Sequence, residues 1–162
     1  MRFSIITDPN SILHQKAEAI NPADLNTSKM KKLIVNMIET MYSADGVGLA
    51  APQVGQSIQI CVIAKEYSAL GKSEDLVLIN PVWQKKSILT AWDAEGCLSV
   101  PEYWGEVKRY KKIKVKALDI NGQPIEFEAK DFPARVIQHE VDHLNGILFV
   151  EKARNIQKVE KV

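Results

Sequence analysis

The sequence is short of cysteine, of histidine and of long apolar runs, and each shortage excludes something. Its two cysteines, Cys61 and Cys97, cannot build a disulfide framework. None is needed, because a chain of 162 residues buries roughly 70% of its unfolded surface in one core. A reducing, cytoplasm-like compartment is the expectation from such cysteine usage. No apolar run approaches the roughly 18 residues that would suggest a membrane span. Residues 1–10 carry Arg2, Asp8 and Pro9 and no apolar stretch before a small-residue cleavage site, so they do not read as a signal peptide. An excess of one charge is missing too. With 21 basic and 20 acidic residues the net charge is +1, so no global field selects DNA or an anionic membrane. The composition, 46% hydrophobic and 25% charged, is that of a globular chain without repeats or low-complexity tracts. One domain spanning residues 1–162 is expected, with a monomer as the default.

Met30, Leu33, Ile34, Met37, Ile38 and Met41 fall at helical spacing between Thr27 and Asp45-Gly46. Thr27 or Ser28 can cap that helix, and Gly46 supplies a stop. The stripe reads as core, since methionine is a common filler. The runs Ile58–Ala64 and Leu76–Ile79 are short and β-branched and read as strands, with a loop over Tyr67–Asp75 between them. Residues 106–118 alternate. Val107, Arg109, Lys111, Ile113, Val115 and Ala117 share one face; Lys108, Lys112, Lys114 and Lys116 form the other, expected to be a solvated sheet surface. Asn121-Gly122 is a two-residue hairpin signal leading into Ile125–Phe127. A second helix should start at Asp131–Pro133, with Asp as cap and Pro in the first turn, and end near Asn145-Gly146. Strands and helices do not alternate regularly, so an α+β fold with antiparallel sheets is expected.

Three segments carry chemistry. In Gln138-His139-Glu140-Val141-Asp142-His143-Leu144 the two histidines are four apart, so on a helix they share a face and can reach one divalent metal. Glu140 then lies beside the metal, where it can take a proton from water. Two histidines hold a catalytic metal poorly, and the best third ligand is Cys97, in Glu95-Gly96-Cys97-Leu98-Ser99, bracketed by Gly96 and Pro101. Cys61 lies inside an apolar run and reads as core, and His14 as a surface residue. The third segment, Gly46-Val47-Gly48-Leu49-Ala50-Ala51-Pro52-Gln53, lacks the Lys-Ser/Thr ending of a phosphate loop. Its glycines permit backbone approach to a ligand, and Gln53 offers a neutral amide donor for a developing oxyanion.

In their chain order, Gly46–Gln53, Glu95–Ser99 and Gln138–Leu144, and at that spacing the three segments closely resemble the signature motifs of bacterial-type peptide deformylase, and the resemblance runs from about Thr7 to about Glu151. It includes Met41-Tyr42, Leu78-Ile79-Asn80-Pro81 and the Asn121-Gly122 hairpin. The resemblance implies a single domain of antiparallel sheets packed around a central metal-binding helix. It implies Cys97, His139 and His143 as ligands of one divalent metal, usually Fe2+, with zinc, nickel or cobalt as replacements. Glu140 would be the acid/base, with the Gln53 side chain and the Leu98 N–H as oxyanion donors. Gly46, Val47 and Gly48 would pair with the substrate backbone like an added strand. The implied reaction removes the formyl group from the N-terminal formylmethionine of nascent chains, in the cytoplasm. The tail, residues 152–162, would be a short helix or flexible, with a ribosome contact in view.

The chain departs from the family at Trp104, where many relatives carry Arg or another polar residue, which suggests a more apolar rim. Asp93 stands where Glu or an aliphatic residue is common, and Asp131 and Pro133 replace Gly and an aliphatic residue. Two other readings compete. A generic His-Glu-x-x-His metallopeptidase would want a third ligand after His143, and no His or Cys follows. A non-enzymatic metal-binding protein would need neither Glu140 nor Gln53.

Overall fold

The methionine-containing stripe becomes one face of α1, Ser28–Ser43, in the computed structural model, which describes residues 1–159. Thr27 caps it, its hydroxyl accepting from the Met30 N–H at 3.3 Å. The stop differs in detail from the expectation. Asp45, not Gly46, takes the left-handed conformation, at φ 54°, while the Gly46 N–H reaches back to the Met41 carbonyl at 2.9 Å. A short polar side chain tolerates that conformation.

Eight strands form two antiparallel sheets. β1 (Gly48–Ala50), β2 (Ile60–Ile63), β3 (Leu76–Lys85), β6 (Lys112–Leu118) and β7 (Pro124–Lys130) make one, in the order β1-β2-β3-β6-β7. β4 (Thr90–Cys97), β5 (Val100–Tyr110) and β8 (Arg154–Lys158) make the other, in the order β4-β5-β8. The second helix, α2, spans Asp131–Leu144. β2 reads as an unbroken apolar run because both its faces are covered. Ile60 and Val62 pack with Met37 and Met41 of α1, and Cys61 and Ile63 with Ile137 and Val141 of α2. Cys61 is therefore core, fully buried.

Several boundaries move for identifiable reasons. β3 continues past Ile79 because Asn80-Pro81 is a bulge rather than an end, with the Asn80 side chain bonded to both Ile20 N and Ile20 O. The alternating stretch 106–118 is two strands in different sheets, broken at Lys111. Its N–H bonds Leu89 and its carbonyl accepts from Asp131. Asn121-Gly122 is not a two-residue turn. Residues 119–123 form a longer loop in which only Gly122 has positive φ, 77°, and Asp119 Oδ1 accepts from the Asn121 and Gln123 N–H groups.

α2 begins without the expected Asp cap. Lys130 occupies the cap position with no side-chain bond, and Asp131 itself has φ 57°. Glycine would adopt that geometry without steric cost. Pro133 fits the first turn, as expected. At the other end Gly146 has φ 74°, and a Cβ there would lie 2.8 Å from backbone atoms of His14 and Gln15. The described part of the tail, residues 152–159, is not a helix. Arg154–Lys158 is β8, paired to β5, and Arg154 stacks on Trp92 at 3.8 Å while donating to Glu106 at 2.8 Å. The expectation for residues 160–162 lies outside the described residues.

Candidate metal centre

α2 packs against β1, β2 and β5, so one helix face looks into the gap between the two sheets. Its apolar residues Ile137, Val141 and Leu144 enter the core, and His139, Glu140 and His143 line the gap. The two imidazoles lie with ring centroids 5.0 Å apart, as their spacing requires. Cys97, at the end of β4, brings its Sγ to 3.2 Å from His143 Nε2. One ligand atom from each of Cys97, His139 and His143 lies within 4.8 Å of the others. Sulfur and two imidazole nitrogens are a donor set suited to a first-row divalent ion, so the residues present fit a metal.

The remaining expected residues gather around this cluster. Glu140 is 3% exposed and lies against Gly48, where a Cβ would come within 2.6 Å of its Oε1. Glycine at 48 is thus what lets the carboxylate approach β1. A Cβ on Gly46 would meet Leu98 Cδ1 at 2.9 Å, so the two glycines seat Leu98 and Glu140 respectively. Val47 is half-buried and its carbonyl accepts from the Ala64 N–H at 3.0 Å. Gln53 is anchored at both ends of its amide. Oε1 accepts from Ala50 N at 2.9 Å, and Nε2 reaches Ser99 Oγ at 3.1 Å and Cys97 Sγ at 3.6 Å. His14 is at the surface, 2.7 Å from Asp8.

Sequence reasoning missed the charges behind the cluster. Glu95 Oε1 lies 2.8 Å from His139 Nδ1 and accepts from Arg109 Nη2 at 2.8 Å. Its Oε2 accepts from Arg109 Nε and Arg135 Nη1. Arg109 also donates to Asp142, which takes Lys152 on its other oxygen at 3.0 Å. A signal was available. Arg109 falls on the apolar face of an alternating run, and a buried guanidinium needs a carboxylate.

The electrostatics follow from burial and partners. Burial works against Glu95's charge, but the bonds from Arg109 and His139 outweigh it and hold this carboxyl well below the usual range. Glu140 has no such partner, and burial pushes it up to about 7. Burial also drives His143 well below the ordinary imidazole value. For His139 burial acts the same way, but bonds to Cys97 and Glu95 prevail and raise it to about 10. Glu140 Oε2 and His143 Nδ1 are buried without a partner.

Comparison with known proteins agrees with this geometry. The family model described as Polypeptide deformylase matches residues 3–159. A peptide deformylase of Desulfotalea psychrophila is 44% identical over 156 residues, covering 96% of this chain and 90% of that protein. One from Syntrophomonas wolfei is 46% identical over 152 residues, covering 93% of each. Among solved structures, the Met-Ala-Ser-bound class I type b peptide deformylase of Acinetobacter baumannii superposes with a TM-score of 0.87 at 36% identity, covering 94% of this chain and 98% of that one. The Thermotoga maritima peptide deformylase gives 0.86 at 38% identity, covering 95% and 99%. The motifs, the fold and these matches lead to one conclusion: the chain belongs to the polypeptide deformylase family.

Proposed function

We propose that this chain hydrolyses the formyl group of formylmethionyl nascent peptides, releasing formate, with Cys97, His139 and His143 holding one divalent metal. The observation that carries the reading is Glu140, a buried carboxylate unpartnered at Oε2 and next to a cluster histidine on the same helix. Three protein ligands leave a position for water or substrate, the catalytic rather than the structural pattern. The family resemblance makes Fe2+ the expected native ion, and a donor set of one thiolate and two imidazoles also accepts Zn2+, Ni2+ or Co2+. When bound, such an ion lowers the pKa of water and polarises a carbonyl oxygen.

The chain's own residues do the rest. Glu140, poised at about 7, accepts the proton of the attacking water near neutral pH. The water oxygen adds to the formyl carbon, the C–N bond breaks, and Glu140 returns the proton to the leaving amine. Gln53 Nε2 and the Leu98 N–H donate to the formyl oxygen as it gains charge. The Ala50 N–H fixes the orientation of the Gln53 amide, so little reorganisation is needed. β1 is an edge strand. Since Val47 turns its carbonyl toward Ala64, alternation turns the Gly48 N–H and C=O to the free edge. Gly46-Val47-Gly48 can therefore take a peptide backbone as an added strand. The tripeptide named with the Acinetobacter structure supports a peptide substrate. A thiolate ligand and a free buried Cys61 suit a reducing cytoplasm.

The test is the product of formyl-Met-Ala-Ser treated with nickel-loaded protein. Formate and intact Met-Ala-Ser are expected. Cleavage of a peptide bond would place the chain with His-Glu-x-x-His peptidases, and no turnover with metal bound would leave a metal-binding protein.

A further inference from the structure

The net charge of +1 conceals an uneven distribution. Along the open face of the larger sheet, β7 neutralises the lysines of β6: Lys112 pairs with Glu128 at 3.1 Å, and Lys114 pairs with Glu126. The balance changes at the end of that sheet, where β3 passes to β4. Lys85, Lys86, Lys111, Lys112 and Lys130 gather there against Glu128 and Asp131. Glu128 is shared by Lys86 and Lys112, and among the described residues Lys85, Lys111 and Lys130 join no ion pair.

The same end carries an aliphatic tip. Ile88 is 83% exposed and its neighbour Leu89 62%, more than any other large apolar residue described except Met1. The loop that presents them is fixed. The Lys86 N–H donates to the Lys112 carbonyl and the Lys111 N–H to the Leu89 carbonyl, each at 2.9 Å, and the Leu89 N–H donates to Ser87 Oγ at 3.1 Å. Two aliphatic side chains are thus held out into water inside a collar of ammonium groups. An anionic bilayer matches both features at once. Its acyl boundary takes the aliphatic tip, and long lysine stems reach the phosphates above it.

We propose that the β3–β4 loop docks this protein on an anionic lipid surface, Ile88 and Leu89 entering the boundary between headgroups and acyl chains while the surrounding lysines engage lipid phosphates. The contact is peripheral and does not depend on the deformylase reading. β4 leads from the loop to Cys97, so at about 3.3–3.4 Å per residue the metal cluster lies roughly 20–25 Å from the docked tip and stays uncovered.

The experiment measures cosedimentation with vesicles of phosphatidylcholine alone and of phosphatidylcholine with about 30% phosphatidylglycerol, for wild type, Ile88→Ser/Leu89→Ser and Lys85→Gln/Lys111→Gln. Wild type should partition at least about 10-fold better onto the anionic vesicles, and less so as salt is raised. One lysine near such a surface is worth about 5-fold, so Lys85→Gln/Lys111→Gln should lose roughly 25-fold. Loss of both aliphatic side chains should cost about 10-fold or more. Thermal unfolding, expected near wild type for both variants, separates lost docking from lost folding. Ile88→Trp supplies a reading that needs no loss: its emission should shift to the blue on anionic vesicles and stay put on neutral ones. Absence of a wild-type preference for anionic vesicles overturns the proposal and leaves the tip to a protein partner. Equal binding by folded Ile88→Ser/Leu89→Ser, or Ile88→Trp emission unmoved by vesicles, overturns it too and reduces the lysines to a polyanion site such as RNA would use.

Discussion

His139 and His143 stand one turn apart on α2, and the protein holds them in opposite ways. His139 turns Nδ1 to Glu95, itself gripped by Arg109 and Arg135, so Nε2 is aimed by a charged scaffold. His143 has a buried Nδ1 with no partner, and only packing and whatever meets Nε2 hold it. The two carboxylates repeat the contrast. Glu95 is buried among guanidinium groups and stays an anion; Glu140 is buried without them and stays poised near neutrality. Environment thus divides like residues into a charge-anchored member and an unpartnered member of each pair.

The contrast can be broken hardest at Arg109. Arg109→Ala leaves Glu95 and Asp142 buried without their shared counter-charge and should cost about 3–5 kcal/mol in urea unfolding of the metal-free protein. A loss under about 1 kcal/mol would show that water or Arg135 replaces it. Glu95→Gln keeps the shape of the anchor but removes its charge, and should weaken metal affinity about 10- to 100-fold by competition titration.

Stability against pH should separate the two carboxylates by sign. Glu95 is depressed in the fold, so its contribution is present above the ordinary carboxylate pKa and is lost as pH falls below it. Glu140 is raised, so its contribution is full below the ordinary value of 4.5 and is lost as pH rises through about 7. Metal-free Glu140→Gln should therefore lose the second dependence, on the order of 3 kcal/mol, and keep the first. The smallest effect is expected from Lys152→Ala, since that lysine is half exposed on Asp142: about 0.2–1 kcal/mol, with metal affinity unchanged. An affinity loss as large as that of Glu95→Gln would show that the tail reaches His139 through Asp142 and Arg109.

The residues of the candidate site were legible because their chemistry is local or motif-bound. His139, Glu140 and His143 share one helical turn, and Cys97 and Gln53 sit in short Gly- and Pro-marked segments. The α+β class was legible from the change of period after Gly55. What escaped depended on neighbours distant in sequence. Arg109 and Lys111 share one parity but have opposite fates, because β5 ends between them and the chain changes sheets. Glu95 was in view within a motif, yet its role needs Arg109 and Arg135 from 14 and 40 residues away. The tail's strand depends on Gly105 leaving room for Ala153 and Ile156, which no local pattern in 152–162 announces.

The central claim is that the Cys97–His139–His143 cluster binds the metal while Glu140 performs the proton transfer. The most direct test measures metal stoichiometry and formate release together, for wild type and Glu140→Gln loaded with nickel. The account predicts about one ion per chain in both proteins, with turnover in the variant lower by roughly 100-fold or more. Undiminished formate release by metal-loaded Glu140→Gln would contradict it.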